Sequence, residues 1–596
     1  MRSLLLSSLI VATAALTVAG APPPPCANCL NARVWPVDPE DFRKTGDPQF
    51  PETARLAEMT NRVDLGIAFS GGGTRSASAT LGQLRGLRHL GWLDRVRYIA
   101  AVSGGSWAAL PYTYWKGRDD DLLGVYEEPA QLDHDKVLLT PNGTLAKIIS
   151  ESSIAGPGLR EAAGEFRTFA LPENANAYID KALSALDKSR REAGRANKTY
   201  SRLLQDKFIT PLVGSQSGLR VGWEERSVDQ ISTDNPRTLG AHEFIKVPDG
   251  RPFFIAGATL VPPHPAFYYP PLAPVEYTPL YSGIRQQFGA IGGAYIATWA
   301  YDSVDVSPGE GGLVRVRPAA DGRTFTPADI ISSTGAAPQL TLLLGARGKG
   351  MLNKIFGTAS GYFPAYHPIA VRATGPALGA EIPHGDGGFM DYFGIMPLLA
   401  RHVRNIIVFI NSNNDFDQND DLHSLFFEGA RNDSGDKSMN IVFTPARYHE
   451  LMTNLAQRRT SGAPPVYCGT NWEVAANEAY NIRTYGDLNI CWVYNRPIGQ
   501  WNDTLKAPIK QIMSGDTKTQ TDLEKKAGSF ADFPWYKTFE QKPPYVIELS
   551  VAQVNLLSNL TAWTVANKDS AAALMNALGR AFGGRPPAVP AGGTPD

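Results

Sequence analysis

The clearest pattern in the chain is an apolar run, an amphipathic stretch and a second apolar run between residues 64 and 102. Residues 64–69 and residues 96–102 are short, apolar and rich in β-forming types, which predicts two buried strands. From about Ser76 to Leu93, apolar residues recur every three or four positions, which predicts a helix that stops near Gly91. A strand, a helix and a strand within about forty residues have the size of one parallel βαβ unit.

A run of glycines interrupts this pattern where the first strand ends and the helix begins. Backbone N–H groups at a helix N-terminus carry partial positive charge, and Gly72 and Gly73 would let a reacting atom approach them closely. Arg75 adds a full charge that can hold a phosphate. The glycines are contiguous and no Gly-Lys-Ser/Thr follows, so the run is neither a Walker loop nor a dinucleotide fingerprint. Taken alone, it fits an oxyanion hole or a tight turn that binds phosphate only.

Ser103 follows the second strand, flanked by Gly104 and Gly105, where a nucleophile elbow would place its serine. Ala101 occupies the first glycine position of the usual Gly-x-Ser-x-Gly pattern and is small enough to allow the bend. Ligands of parallel sheets bind beyond the carboxyl ends of the strands, where both the glycine run and Ser103 should lie. Acyl transfer needs an oxyanion hole that faces a nucleophile, so the pairing indicates such an enzyme, although Ser103 alone also fits an ordinary turn.

A serine nucleophile needs a group that accepts its proton. Asp386 is the favoured candidate, because glycines on both sides would let its short side chain enter a crowded site. Asp-Gly is also a strong turn signal, so a simple turn stays open as an interpretation. His384 could orient this aspartate, although a buried structural histidine is the favoured interpretation. A histidine-based hydrolase remains a formal alternative through His402, His423 or His449.

Three motifs together resemble the cytosolic phospholipase A and fungal phospholipase B group, whose wider relatives are the patatin-like lipid acyl hydrolases. They are Ser70-Gly71-Gly72-Gly73-Thr74-Arg75, Ser103-Gly104-Gly105-Ser106-Trp107 and Asp386-Gly387-Gly388. Three shorter stretches are also similar to that group: Val275–Pro279, Ser332–Ala337 and Phe533–Trp535. The resemblance spans roughly residues 30 to 545. It implies an α/β fold, specifically a three-layer patatin-like fold with a central, mostly parallel sheet flanked by helices.

The resemblance also implies a role for each matching residue. Ser103 would be the nucleophile and Asp386 the sole general base, which makes a Ser–Asp dyad. Gly72 and Gly73 would donate the hydrogen bonds of the oxyanion hole, and Arg75 would contact the lipid phosphate. The expected activity is hydrolysis of fatty-acyl esters of phospholipids or lysophospholipids through an acyl-enzyme, with no metal and no cofactor.

The chain departs from the family pattern at three points. Ala101 stands at the elbow, Thr74 lies within the glycine loop, and Arg347 aligns poorly as a second headgroup arginine. These departures leave the reaction rate and the headgroup preference open more than the type of reaction. Two alternatives therefore stay open: a neutral-lipid or galactolipid esterase or acyltransferase of the same fold, and a catalytically silent lipid-binding or storage protein.

The N-terminal residues predict export from the cytoplasm. Residues 1–20 have the basic start, apolar run and small-residue end of a secretory signal peptide, with an uncleaved anchor as the alternative. Residues 21–54 are expected to be an extended segment, 55–580 a single catalytic domain with insertions, and 581–596 a disordered tail. The protein would then be secreted, or periplasmic in a bacterium.

Four cysteines follow the predicted signal, and an even number in a secreted chain predicts two disulfides. Three pairings are possible, of which Cys26–Cys29 with Cys468–Cys491 is favoured. A zinc site built from the same four residues is less favoured, because the second pair is not closely spaced and the compartment is oxidising.

The net charge of the chain argues against some classes of binding partner. The chain has 57 basic and 58 acidic residues, a formal net charge of −1, which argues against nucleic acid and against purely electrostatic membrane binding. The expected partner is a phospholipid or lysophospholipid at a membrane or micelle surface, with no obligate protein partner. Residues 411–421 are acidic and rich in Asn, but they lack the glycine and closing glutamate of an EF-hand, so a polar loop is predicted there.

Overall fold

The computed structural model describes residues 28–38, 48–55, 59, 62–151, 199–260, 272–308, 312–318, 324–337, 339, 363–372, 375–427, 440–516, 518–536 and 549–582. The predicted signal peptide, Cys26, Arg347 and most of the predicted tail lie outside these residues. In the described part of the chain, no helix is both long enough and apolar enough to cross a membrane.

Strands and helices alternate along much of the described chain. The strands are β1 Leu30–Pro36, β2 Val63–Phe69, β3 Val96–Val102, β4 Arg220–Val221, β5 Phe244–Ile245, β6 Phe253–Leu260, β7 Ala273–Tyr277, β8 Tyr281–Phe288, β9 Ile291–Ala297, β10 Asp305–Pro308, β11 Leu313–Arg317, β12 Ala365–Tyr366, β13 Ile369–Arg372, β14 Gly375–Leu378, β15 Ile382–Asp386, β16 Asn405–Ile410, β17 Val466–Val474 and β18 Tyr485–Tyr494. The α-helices are α1 Pro51–Arg55, α2 Gly73–His89, α3 Gly104–Tyr114, α4 Asp119–Leu123, α5 His134–Leu139, α6 Thr144–Glu151, α7 Thr199–Leu204, α8 Thr210–Val213, α9 Glu225–Asp234, α10 Pro327–Thr334, α11 Met396–Ala400, α12 Asp420–Ser424, α13 Pro445–Thr460, α14 Gly499–Thr504, α15 Ala507–Met513, α16 Asp522–Lys525, α17 Val551–Ala566 and α18 Lys568–Leu578.

Among the described residues, sixteen strands form one sheet, whose main path is β10-β11-β1-β9-β8-β7-β6-β3-β2-β16-β18-β17. The strands β6, β3, β2, β16 and β18 pair in parallel. From β6 through β7, β8, β9, β1 and β11 to β10, and between β18 and β17, neighbours pair antiparallel. The predicted α/β class with a central sheet is confirmed, and the parallel strands lie together toward the β17 edge of the sheet. The antiparallel extension was not predicted.

The predicted βαβ unit is formed by β2, α2 and β3. Helices cover the parallel strands of the sheet. The last five residues of β2 and β3 and all of β16 are buried, which requires cover on both faces of the sheet. Leu398 of α11 packs on Gly66 of β2, while α17 packs on α2. A Cβ added to Gly82 of α2 would lie 2.1 Å from the Ser558 carbonyl oxygen, so glycine allows the two helices to approach closely.

The stretch Val275–Pro279 contributes to a buried ion cluster. Arg401 donates to Glu52 and to Glu276, each at 2.8 Å, and its Nη2 also donates to the Tyr281 hydroxyl. The cluster ties α1 to β7 and to the turn after α11. Breaking such a cluster leaves an uncompensated buried charge, so it fixes the chain path in this region.

A disulfide joins the last two strands of the sheet. Cys468 of β17 and Cys491 of β18 face each other in register and are bonded, as predicted. Cys29 is also disulfide-bonded, whereas Cys26, its predicted partner, lies outside the described residues.

Candidate active site

Ser103 and Asp386 are 283 residues apart in the chain and in contact in the fold. Ser103 Oγ donates a hydrogen bond to Asp386 Oδ2 at 2.7 Å. Ser103 follows β3 directly, and Asp386 is the last residue of β15. Both strands pair with β6, where Val102 faces Gly257 and Asp386 faces Ala258. Adjacent register positions on one shared strand therefore bring the two side chains together.

The backbone of Ser103 has a conformation that non-glycine residues rarely adopt, with φ 49° and ψ −126°. Its amide N–H donates to Thr334 Oγ1 at 2.8 Å, and its carbonyl accepts from the Ser106 N–H at 2.9 Å. Gly104 is required here, because an added Cβ would lie 1.9 Å from the Gly73 carbonyl oxygen. This is the sharp strand-to-helix turn expected of a nucleophile elbow.

The glycine loop, residues 70–75, packs directly against this turn. Gly72 and Gly73 have φ values of 130° and 58°, and α2 begins at Gly73. A Cβ added to Gly71 would lie 3.4 Å from Ser103 Cβ. The positive end of α2 is therefore next to the serine, which is the placement that an oxyanion hole needs. The donor roles of Gly72 and Gly73 stay a prediction.

Asp386 is a buried carboxylate without a charged partner among its hydrogen bonds. It is 5% exposed, and its Oδ1 accepts from the Gly388 N–H at 2.8 Å. Burial raises the pKa of Asp386 to about 6, against the opposing effects of the Gly388 N–H and the Ser103 hydroxyl. Such a group is ionised at neutral pH and still takes a proton readily, as a general base should.

Thr334 is a functional-site residue that sequence reasoning did not identify as such. It is the last residue of α10, which begins with a capping box between Thr326 and Asp329. Its only sequence signal was its place in Ser332–Ala337, one of the stretches behind the family resemblance. Because Thr334 Oγ1 accepts a hydrogen bond from the Ser103 N–H, α10 holds the strained turn in addition to the glycine loop.

His384 is a structural histidine. Its Nδ1 lies 2.8 Å from the Ile382 carbonyl and its Nε2 lies 3.0 Å from the Tyr301 hydroxyl. Since a carbonyl only accepts, Nδ1 carries the proton and Nε2 accepts from Tyr301. Burial lowers the pKa of His384 to about 3, so the ring stays neutral. The alternative in which His384 orients Asp386 is wrong, because both ring nitrogens are used elsewhere.

The other candidate histidines lie against aromatic rings. His402 stacks on Tyr485 at 4.5 Å, and His423 stacks on Phe427 at 4.2 Å. His449 contacts Tyr448 edge-on, with ring centroids 6.0 Å apart. None of these contacts involves the Ser103–Asp386 pair, which leaves the aspartate as the candidate base.

Arg75, which was predicted to contact the lipid phosphate, is buried beside the glycine loop. It is 3% exposed, and its guanidinium donates to three backbone carbonyls, those of Asn411, Trp535 and Tyr536. Its predicted contact with a lipid phosphate stays a prediction.

The polar loop predicted after β16 is held by arginines. Asp415 accepts from Arg496 at 3.1 and 3.2 Å, and Arg459 bridges Asp415 and Asp417. These carboxylates are neutralised by protein cations. Across the ranges that the structure describes, no group of three His, Cys, Asp or Glu side chains could hold a metal ion.

Comparison with known proteins gives matches among solved structures alone. No family model matches the chain, and no curated protein does. Human GIVD cytosolic phospholipase A2 matches at 14% identity, covering 87% of this chain and 60% of that one, with a TM-score of 0.38. The same enzyme in complex with methyl gamma-linolenyl fluorophosphonate matches at 16% identity, covering 89% and 60%, with a TM-score of 0.36. The chain thus spans about 60% of the length of these structures. At such identities and TM-scores, a functional proposal rests on the geometry of the site itself.

Proposed function

We propose that the protein is a secreted lipid acyl hydrolase that cleaves fatty-acyl esters of phospholipids or lysophospholipids with a Ser103–Asp386 dyad. The observation that carries the proposal is the 2.7 Å hydrogen bond from Ser103 Oγ to the buried carboxylate of Asp386. The serine turn beside a glycine-rich helix start adds the second requirement of acyl transfer, a place for the oxyanion.

The first half of the reaction forms the acyl-enzyme. Ser103 Oγ attacks the ester carbonyl carbon while Asp386 Oδ2 takes the hydroxyl proton. The Oγ–C bond forms, and the negative charge moves to the carbonyl oxygen, which the Gly72 and Gly73 N–H groups receive. The intermediate then collapses, the ester C–O bond breaks, and Asp386 returns the proton to the leaving alcohol.

The second half releases the fatty acid. Asp386, ionised again, takes a proton from a water molecule that attacks the acyl carbon on Ser103. The Oγ–C bond breaks and the proton returns to Ser103 Oγ. A base with a pKa of about 6 suits both halves, because it is ionised at neutral pH and its conjugate acid still protonates an alkoxide easily.

One feature of the sequence and one feature of the structure support the proposed location outside the cytoplasm. Residues 1–20 have the pattern of a secretory signal, and the Cys468–Cys491 disulfide is typical of an oxidising compartment. The proposed partner is a lipid aggregate such as a membrane or micelle, because the chain has almost no net charge with which to attract a polyanion.

The test measures fatty-acid release from lysophosphatidylcholine and phosphatidylcholine vesicles by wild type, Ser103→Ala and Asp386→Asn. We expect activity in the wild type and loss of activity in both variants. Ser78→Ala is the matched control, because that buried hydroxyl donates to the Thr74 carbonyl within α2 and not to the dyad. Hydrolysis that persists in Ser103→Ala would contradict the proposal.

Two further substrates separate the related activities. Turnover of triglyceride or galactolipid without turnover of phospholipid would indicate a neutral-lipid or galactolipid esterase. A wild-type protein that hydrolyses none of these and does not react with a fluorophosphonate probe at Ser103 would be a lipid-binding or storage protein.

A further inference from the structure

We infer that Arg75 is a positioning residue that holds the glycine loop in its active shape, and that it does not bind substrate phosphate. The inference rests on the proposed function, because the loop's role as an oxyanion hole is part of that proposal. It concerns how the loop is supported and which substrates would depend on that support.

The guanidinium of Arg75 donates hydrogen bonds to backbone carbonyls. Arg75 Nε donates to the Asn411 carbonyl at 2.9 Å, and Nη1 donates to the carbonyls of Trp535 and Tyr536 at 3.2 and 2.8 Å. Hydrogen bonds from a charged donor are about twice as strong as neutral ones. Turning this group toward a phosphate would leave three carbonyls without these bonds, those of Asn411 and Tyr536 in buried positions, which is unfavourable.

The guanidinium also lies directly against the backbone of Gly72. A Cβ added to Gly72 would lie 2.5 Å from Arg75 Nη2 and 3.0 Å from the Asn411 carbonyl oxygen. The guanidinium thus fills the space that a side chain at this position would need. Gly72 has φ 130°, a conformation that glycine tolerates and other residues rarely adopt. Arg75 and the end of β16 therefore support the Gly72 backbone where it is most unusual.

Asn411 bonds to the chain on both sides of the glycines. Its backbone N–H donates to Ser70 Oγ at 2.7 Å, before the glycines. Its side-chain amide donates to Ser76 Oγ at 3.1 Å, after them. The Asn411 carbonyl accepts from Arg75 between these two points. Asn411, the residue after β16, thus bonds to both ends of the loop and to Ser76 just beyond it.

The late segment Phe533–Trp535 is held beside Arg75 by hydrogen bonds to Asn495. Asn495, just after β18, donates to the Pro534 carbonyl at 3.2 Å and accepts from Trp535 Nε1 at 3.1 Å. These bonds fix the segment against the carboxyl end of the parallel strands. The next two carbonyls, of Trp535 and Tyr536, are then available to Arg75. The segment supports the glycine loop through Arg75.

The experiment compares Arg75→Lys and Arg75→Gln on two esters with the same acyl chain, lysophosphatidylcholine and monoacylglycerol. Lysine keeps the charge but lacks the fork that reaches three carbonyls, and glutamine lacks both. Since loss of one oxyanion donor lowers kcat by roughly 100- to 1000-fold, we expect disordering of the loop to lower kcat by roughly 10- to 100-fold. The loss should be similar for both variants and both esters, with KM little changed.

Arg88→Lys is the control, because Arg88 lies on the same helix and pairs with Asp120 at the surface. It should keep the wild-type rates. A loss confined to lysophosphatidylcholine, with a raised KM and partial rescue by lysine, would identify Arg75 as a phosphate ligand and overturn the inference. Full activity of Arg75→Gln on both esters would overturn it as well.

Amide hydrogen exchange separates this inference from the proposed function. If the wild type hydrolyses neither ester, the proposed function fails, and exchange in peptides that cover residues 70–76 still tests the support role. Faster exchange in Arg75→Lys than in wild type and Arg88→Lys would support it. Equal exchange in all three proteins would overturn it.

Discussion

Replacing Asp386 by asparagine should abolish catalysis and stabilise the protein at neutral pH. The carboxylate is buried, and its bonds to Ser103 Oγ and to the Gly388 N–H do not compensate for lost hydration. Burial therefore raises its pKa from 3.8 to about 6. Asparagine keeps both bonds without a charge: its oxygen accepts from Gly388, and its NH₂ group donates to Ser103 Oγ.

The magnitude follows from the pKa shift. A pKa raised from 3.8 to about 6 corresponds to about 3 kcal/mol of unfolding free energy. Between pH 3.8 and about 6, folded Asp386 retains a proton that the unfolded chain has released. Its contribution to stability is therefore full at low pH and is lost as the pH rises through the folded-state pKa. Asparagine avoids this loss, so its advantage should grow from about 1 kcal/mol at pH 4.5 to about 3 kcal/mol at pH 7.5.

The assay is urea unfolding of wild type and Asp386→Asn, followed by tryptophan fluorescence at pH 4.5 and 7.5. Asp119→Asn is the control, because Asp119 is a buried aspartate that pairs with Arg251 at 2.7 Å. The same substitution there leaves a buried cation unpaired and should destabilise by about 3 kcal/mol or more. An Asp386→Asn protein that is less stable than wild type at pH 7.5, or equally shifted at both pH values, would refute the reasoning.

Three other outcomes follow from the site. The kcat/KM for lysophosphatidylcholine should rise about tenfold per pH unit up to about pH 6 and then level off, because only ionised Asp386 accepts the serine proton; a flat profile from pH 5 to 7 would contradict this. Thr334→Val removes the hydroxyl that accepts the Ser103 N–H and should lower kcat roughly tenfold, whereas Thr334→Ser keeps the hydroxyl and should keep the wild-type kcat. Equal rates for the two variants would exclude a positioning role for Thr334. His384→Gln should lower the melting temperature and leave the midpoint of the pH–rate profile unchanged, whereas a moved midpoint would implicate His384 in proton transfer.

The parts of the structure that short-range patterns encode were predictable. The helix predicted from Ser76 to Leu93 is observed as Gly73–His89, and the strand predicted at 96–102 is β3. Periodicity and glycines suffice here, because each element is specified by its own residues. The contact of Ser103 with Asp386 needed the family resemblance, since nothing local indicates that β15 and β3 share β6 as a neighbour.

The supports of the site were not predictable, for a different physical reason. Arg75 binds carbonyls 336, 460 and 461 residues away, and Ser103 donates to a hydroxyl 231 residues away. A backbone carbonyl acceptor leaves no trace in the sequence, because every residue has one. In the sequence, an arginine beside a glycine run therefore has the same pattern whether its side chain binds a phosphate or several backbone carbonyls.

These supports matter because the Ser103–Asp386 pair, the proposed dyad, is energetically unfavourable. A strained backbone such as that of Ser103 costs about 1–3 kcal/mol, and the desolvated charge of Asp386 costs about 3 kcal/mol at neutral pH. Together these are a large share of a typical net stability of about 5–15 kcal/mol. The turn would relax if it were free to do so, and relaxation would move Ser103 Oγ away from the glycine loop, where the oxyanion donors are proposed to lie. Thr334 and Arg75 oppose that relaxation from outside the pair, so their loss should reduce catalysis at temperatures where the rest of the sheet is still folded.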